Sequence, residues 1–173
     1  MTYAAAALAR VGSDWFADDL EFADIDDLDG VVELLREVAG DDADTALLFV
    51  EEDDEWFAVL RLDPDDEPRV FLSDARVISS SETAALFAEV AVDLAVDEEA
   101  DDDEDEDDSE DDDDGTLADG DPAGDAGLMS DLGTPSGRLL ELCAEEGQLP
   151  ADVISALCEA AGCLDVLEKL RGE

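Results

Sequence analysis

Residues 44–63 read DTALLFVEEDDEWFAVLRLD, from Asp44 to Asp63. Ala46-Leu47-Leu48-Phe49-Val50 is a short unbroken apolar run, Glu51 to Glu55 form a polar turn, and Trp56 to Leu62 alternate as a returning strand. Apolar runs this short, bounded by turn residues, have strand length rather than helix length, so the stretch predicts a central β-hairpin. Downstream, the turn-rich Asp63-Pro64-Asp65-Asp66-Glu67-Pro68 precedes a further strand at Arg69 to Leu72, and Leu86, Phe87, Val90, Ala91 and Leu94 mark a closing helix.

Upstream, Tyr3 to Val11 and Trp15 to Phe22 read as two strands around Gly12-Ser13-Asp14, a turn with the glycine that such turns favour. Ala4 to Ala7 would suit a helix equally well by propensity, and only the neighbouring pattern argues for a strand. Leu28, Val31, Val32, Leu35, Val38 and Ala39 then recur at helical spacing, behind Asp26 and Asp27 as caps and with Gly40 as the stop. The order is ββαβββα. Strands joined by tight turns pair antiparallel, so residues 1–96 are expected to form an α+β domain, an antiparallel sheet with helices on one face. Asp14-Trp15-Phe16-Ala17 echoes Glu55-Trp56-Phe57-Ala58, each opening the second strand of a hairpin, and each aromatic pair is expected to anchor its hairpin to the core.

Composition changes sharply at Asp97. From there to Asp125 the chain carries 19 acidic residues and no basic one. Such a segment cannot bury enough apolar surface to offset chain entropy, so 97–127 is expected to be a disordered acidic linker. Beyond it, Pro135 to Glu146, Ala151 to Ala161 and Leu164 to Leu170 show helical spacing, punctuated by Gly147, Pro150 and Gly162. Residues 128–173 thus predict a small helical module, too short to hold a sturdy core alone and expected to dock on the first domain or on a partner.

The charge balance excludes more than any motif includes. Among 173 residues there are 54 acidic and 8 basic ones, a formal net charge of −46. Nucleic-acid affinity comes from Lys and Arg displacing condensed counterions, and here Lys169 and seven scattered arginines are all there is. Direct binding to nucleic acid or an anionic membrane is disfavoured, and basic protein surfaces are the natural partners. With no signal-peptide pattern, no apolar run of spanning length and three cysteines confined to one region, the expected compartment is the cytoplasm.

Catalytic patterns fail on residue types. The chain has no histidine, which removes the usual general base and the commonest metal ligand. Ser79, Ser80 and Ser81 are far in sequence from Lys169, so no nucleophile and base fall together. Cys143, Cys158 and Cys163 lack a paired CxxC and a fourth soft ligand, and read as structural thiols rather than a zinc site. The calcium-loop frame starting at Ile25 ends on Arg36, and the frame from Glu110 through Asp121 has Ala118 at its ninth position. Asp119-Gly120-Asp121-Pro122-Ala123-Gly124 has neither a preceding strand nor a following lysine, so it is no phosphate loop. We expect no catalytic residues, no cofactor and no metal. An enzyme working through buried carboxylates is the alternative of another class.

Four blocks carry a likeness: DLDGVVELLRE at Asp27–Glu37, DTALLFVEEDDEWFAVLRLD at Asp44–Asp63, PRVFLSDAR at Pro68–Arg76 and DLGTPSGRLLELCAEEGQLPADV at Asp131–Val153. Together they resemble the bacterial tRNA adenosine deaminase-associated proteins. That resemblance implies a partner, the zinc-dependent enzyme that converts adenosine to inosine in tRNA, and an accessory role. It implies no deaminase activity, because the His or Cys ligand followed by Glu and the Pro-Cys-x-x-Cys pair of those enzymes are missing. The expected function is that of a non-catalytic acidic accessory protein. A polyanionic nucleic-acid mimic and a solubility-tuned protein with another partner are the alternatives.

Overall fold

A run that is apolar at every position must be buried on both faces, and the middle of the central hairpin, Ala46–Val50 and Trp56–Leu60, is built that way. In the computed structural model, which describes residues 3–22, 24–97, 122–145 and 147–172, β3 (Thr45–Glu52) and β4 (Trp56–Leu62) lie in the middle of a six-stranded sheet. All seven residues of β4 are buried. The sheet order is β2-β1-β3-β4-β5-β6, with β1 spanning Tyr3–Val11, β2 Asp14–Asp19, β5 Arg69–Leu72 and β6 Ala123–Gly124. Every neighbouring pair is antiparallel.

The alanine-rich β1 becomes a strand because of its neighbours. It sits between β2 and β3, with Ala7 opposite Asp18 on one side and Leu48 on the other, so tertiary pairing overrides helical propensity. Its small side chains have a use. Ala5, Ala7 and Ala9 are buried on the face covered by α1 (Leu28–Ala39), whose Val31 and Leu35 are fully buried in the same cluster. Asp27 caps α1 by accepting from the Gly30 N–H at 2.9 Å, and Gly40, at φ 75°, returns its N–H to the Arg36 carbonyl. The second helix on this face, α2 (Glu82–Asp97), packs Ala84 and Phe87 into the cluster. Tyr3 stacks on Phe22 with centroids 5.4 Å apart, and Phe22 meets Phe87 edge-on. Ser81 joins sheet to helix: its hydroxyl donates to the buried Glu52 carboxylate at 3.0 Å and accepts from the Ala84 N–H.

The opposite face carries its own core. Leu8, Leu47, Phe49, Phe57, Val59 and Phe71 point away from α1 and α2, and are covered by Leu128, Met129 and Leu132 together with α3 (Ser136–Ala144), α4 (Pro150–Ala161) and α5 (Leu164–Leu170). Helices on one face therefore describe residues 1–97 alone. The C-terminal helices dock on the sheet and make it the middle of three layers. Pro150 opens α4 at a position needing no N–H bond, and Gly162, left-handed at φ 86°, closes it.

Residues 98–121, and with them most of the acidic segment read as a disordered linker, lie outside the described residues. Its last residues do not fit that reading. Ala123 and Gly124 pair with Leu72 and Phe71, and the Asp125 N–H donates to the Val70 carbonyl at 2.8 Å. Backbone and small size decide this pairing. A Cβ on Gly124 would lie 2.1 Å from the Val70 oxygen, so only glycine, here at φ 94°, lets the strands approach. The aromatic echo is also out of phase. Val11 and Asp14 pair across a two-residue turn, whereas Glu52 and Trp56 pair across the three residues Asp53, Asp54 and Glu55. Trp56 and Phe57 are buried, but Trp15 is only half-buried and Phe16 is 38% exposed, so the expectation of two core anchors holds for the second pair and fails for Phe16. Among the described residues no helix is long and apolar enough to cross a membrane.

Candidate interaction surface

Eight cations among 54 carboxylates will be drawn inward wherever geometry allows, and the fold shows where they go. Arg61 is the odd charge in the otherwise apolar β4, on the face that receives the C-terminal helices. It is only 5% exposed. Its Nη1 donates to the Leu128 carbonyl at 2.6 Å, its guanidinium grips both oxygens of Asp131, and its Nε pairs with Asp63. Asp63 is shared: it also accepts from Arg69 at 3.2 Å and from the Thr45 hydroxyl at 2.5 Å, and Arg69 reaches Asp125 at 3.7 Å. The hydrogen bond from Arg61 holds the Asp131 carboxyl below its ordinary range, and the same bond raises Arg61 further. This set fastens the start of the C-terminal segment to the sheet.

Four more arginines are held by the chain itself. Arg76 pairs with Asp74 at 2.6 Å, which draws the Asp74 carboxyl downward, while Arg138 faces Glu141 at 3.5 Å and Arg171 faces Glu51 at 3.7 Å. Arg10 lies 5.8 Å from the Trp15 ring centre, a cation–π distance. The carboxylates face the other way. Asp14, Asp18, Asp19, Glu21, Asp41 and Asp42 are all exposed, as are the three residues of the β3–β4 turn. The surface potential is accordingly negative.

Two hollows combine that acidity with apolar walls. One, about 430 Å³, lies between the N-terminal ends of α1 and α2, lined by Ile25, Leu28, Ala85 and Leu86 with Asp26, Asp27 and Glu82. The other, about 240 Å³, lies where the β3–β4 turn meets the α3–α4 connection. Its walls include Phe57, Leu142, Pro150 and Val153, with Asp54, Glu55, Asp74 and the Arg76 that pairs with Asp74 among its polar groups. Leu149, 48% exposed, adjoins the second hollow in sequence. Such walls suit the stem of a lysine or arginine whose head meets a carboxylate. No residue was marked in advance as a site, and Asp54, Glu55 and Asp74 come together only through folding.

Cys158 and Cys163 are buried and Cys143 half-buried, all as free thiols. Burial pushes the Cys143 thiol up to about 11, and the bond to Cys163 together with burial raises Cys158. The thiols shift in opposite directions: the bond from Cys158 lowers Cys163, against its burial. Glu51 is raised by burial, with Arg171 opposing, and its Oε2 is buried without a hydrogen-bond partner. Among the described residues no three Cys, Asp or Glu side chains are grouped to hold a metal.

Residues 3–164 match a family model described as Rv3753c-like tRNA adenosine deaminase-associated protein. No curated protein and no solved structure matches the chain.

Proposed function

We propose that this chain, which belongs to the Rv3753c-like tRNA adenosine deaminase-associated protein family, is a cytoplasmic, non-catalytic accessory protein that binds tRNA adenosine deaminase. The observation that carries this reading is the division of charge: six of the basic side chains are engaged by the chain's own carboxylates or aromatic ring, while the acidic excess faces solvent. A surface of that kind repels RNA and attracts the basic groove of a protein that binds RNA. The ordered layers dock on the deaminase, and the acidic stretch from Glu98 to Asp121 lies over its positively charged substrate path. Cofactor and metal have no part in this reading. Binding without turnover also agrees with the lack of histidine.

The test is co-elution of the full chain with the deaminase of its own organism, in low and in high salt. A complex that persists in high salt supports docking through the ordered layers. One confined to low salt reduces the interaction to polyanion attraction, the nucleic-acid-mimic alternative, and no complex removes the partner assignment. Deleting residues 98–121 separates the two contributions: it should weaken binding and flatten its salt dependence.

A further inference from the structure

The two edges of the sheet are unequal. At one end, β5 is shielded by β6 and the chain around Asp125. At the other, β2 presents six residues, and among the described residues no strand pairs with its outer side. Val11 and Asp14 close a two-residue hairpin turn, which makes them the first hydrogen-bonded pair of the ladder. Bonded and non-bonded pairs then alternate. Phe16 and Asp18 direct their backbone groups toward β1, while Trp15, Ala17 and Asp19 direct theirs outward. Two bonds confirm the phase: the Leu20 N–H donates to the Ala5 carbonyl at 3.1 Å, and the Asp19 N–H donates to the Asp18 side chain at 3.0 Å. Among the described residues no strand takes up the outward N–H groups of Trp15 and Ala17, whose side chains pack toward α5 on the second face.

Side chains beside this edge select what could fill it. Phe16 lies opposite Ala9, on the face that α1 covers, yet it stays 38% exposed, as does Val11 at 37% on the same face near the turn. Exposed Asp14 and Asp18 flank Phe16 on that face, because they share its parity along the strand. A second copy of β2 would set aspartates against aspartates, and like charges across a ladder are destabilising. A basic strand meets no such barrier.

We propose that β2 is an open docking edge that accepts, by β-strand addition, an extended segment of a partner with lysine or arginine opposite Asp14 and Asp18 and an apolar residue opposite Phe16. The main chain of that segment bonds to Trp15 and Ala17, and its cations replace solvent around the acidic rim. This inference rests on the accessory reading only for the partner's identity; the edge is a property of the chain.

The test follows amide exchange of the full chain with a synthetic peptide Thr-Lys-Thr-Val-Thr-Lys-Thr, which carries lysine, valine and lysine on one face, and separately with tRNA adenosine deaminase. Exchange at Trp15 and Ala17 should slow in both mixtures. Ala17→Pro removes an outward N–H without touching the β1 ladder, and should lower peptide affinity about tenfold or more while leaving the chain folded. Asp18→Lys, at an exposed position, should weaken the same complex if the proline variant folds poorly. Protection by the peptide with no deaminase binding would remove the partner and keep the edge. A deaminase complex with unchanged exchange at both amides, and equal affinity for the two variants, would overturn the edge and keep the partner. Protection that rises with the chain's own concentration would also overturn the proposal, by making β2 a self-pairing edge.

Discussion

The face of the sheet beneath α1 and α2 is closed by helices next to its strands in sequence, whereas the opposite face is closed by helices that follow residues 98–121. The materials differ as much as the route. The first face relies on alanines in β1 and a close helix, with a capped α2 start at Ser81 and Glu52. The second uses Leu8, Phe49, Phe57 and Phe71 against three short helices, and adds a buried arginine held by carboxylates from both sides of the acidic segment. One face is assembled by local contacts, the other by a long-range fastening.

The largest expected effect asks whether the faces nevertheless unfold together. Phe87→Ala on the first and Phe49→Ala on the second should each cost about 3–5 kcal/mol, because both rings are buried. Urea unfolding followed by tryptophan fluorescence and by far-ultraviolet circular dichroism should give coincident transitions in both variants; a separate early transition in Phe49→Ala alone would mean that the second layer peels off by itself.

The Arg61 fastening comes next. Removing one carboxylate leaves the guanidinium another, but Asp63→Asn with Asp131→Asn leaves a buried charge unpaired, at a cost of about 3–5 kcal/mol that exceeds the sum of the single changes. A double-mutant cycle in urea measures the excess. Asp131→Asn alone should cost about 0.5–1 kcal/mol at neutral pH, since Asp131 is itself 63% exposed. Its lowered carboxyl fixes the sign. The contribution is complete above the ordinary aspartate value, near 3.9, and is lost as pH falls through the lower folded value, so parent and variant should converge in acid.

Glu51 sharpens the comparison from the other direction. Its raised carboxyl stabilises the fold at pH below the ordinary glutamate value, near 4.3, and that contribution is lost as pH rises through the folded value. Glu51→Gln should therefore stabilise the chain at neutral pH, by up to about 1 kcal/mol, with the gain vanishing below about pH 4 in thermal melts.

Much of this was legible before folding. Trp56–Leu62, Arg69–Leu72 and Leu164–Leu170 begin and end where turn residues and apolar spacing put them, and Asp27 and Gly40 bound α1 as caps do. The unbroken run Ala46–Val50 also signalled two buried faces, and hence a second cover, which the expectation of helices on one face did not use. Arg61 inside WFAVLRL signalled a buried pair, but nothing local points to Asp131, 70 residues away. β6 was invisible because two residues carry no period; its pairing depends on the missing Cβ of Gly124. The acidic hollows and the open edge of β2 had no signature beyond abundant carboxylate, since what distinguishes them is which neighbours are absent.

Covering one face through a distant fastening means that covalent continuity between 97 and 122 sets the effective concentration at which the second layer meets the sheet. Expressed as two polypeptides, 1–97 and 122–173, the molecule still has every contact of the Phe49 and Arg61 layer to bring the pieces together, and the lost tether turns an internal docking into an association that depends on dilution. The first piece, waiting with Leu47, Phe49, Phe57 and Phe71 uncovered, would be the one that aggregates.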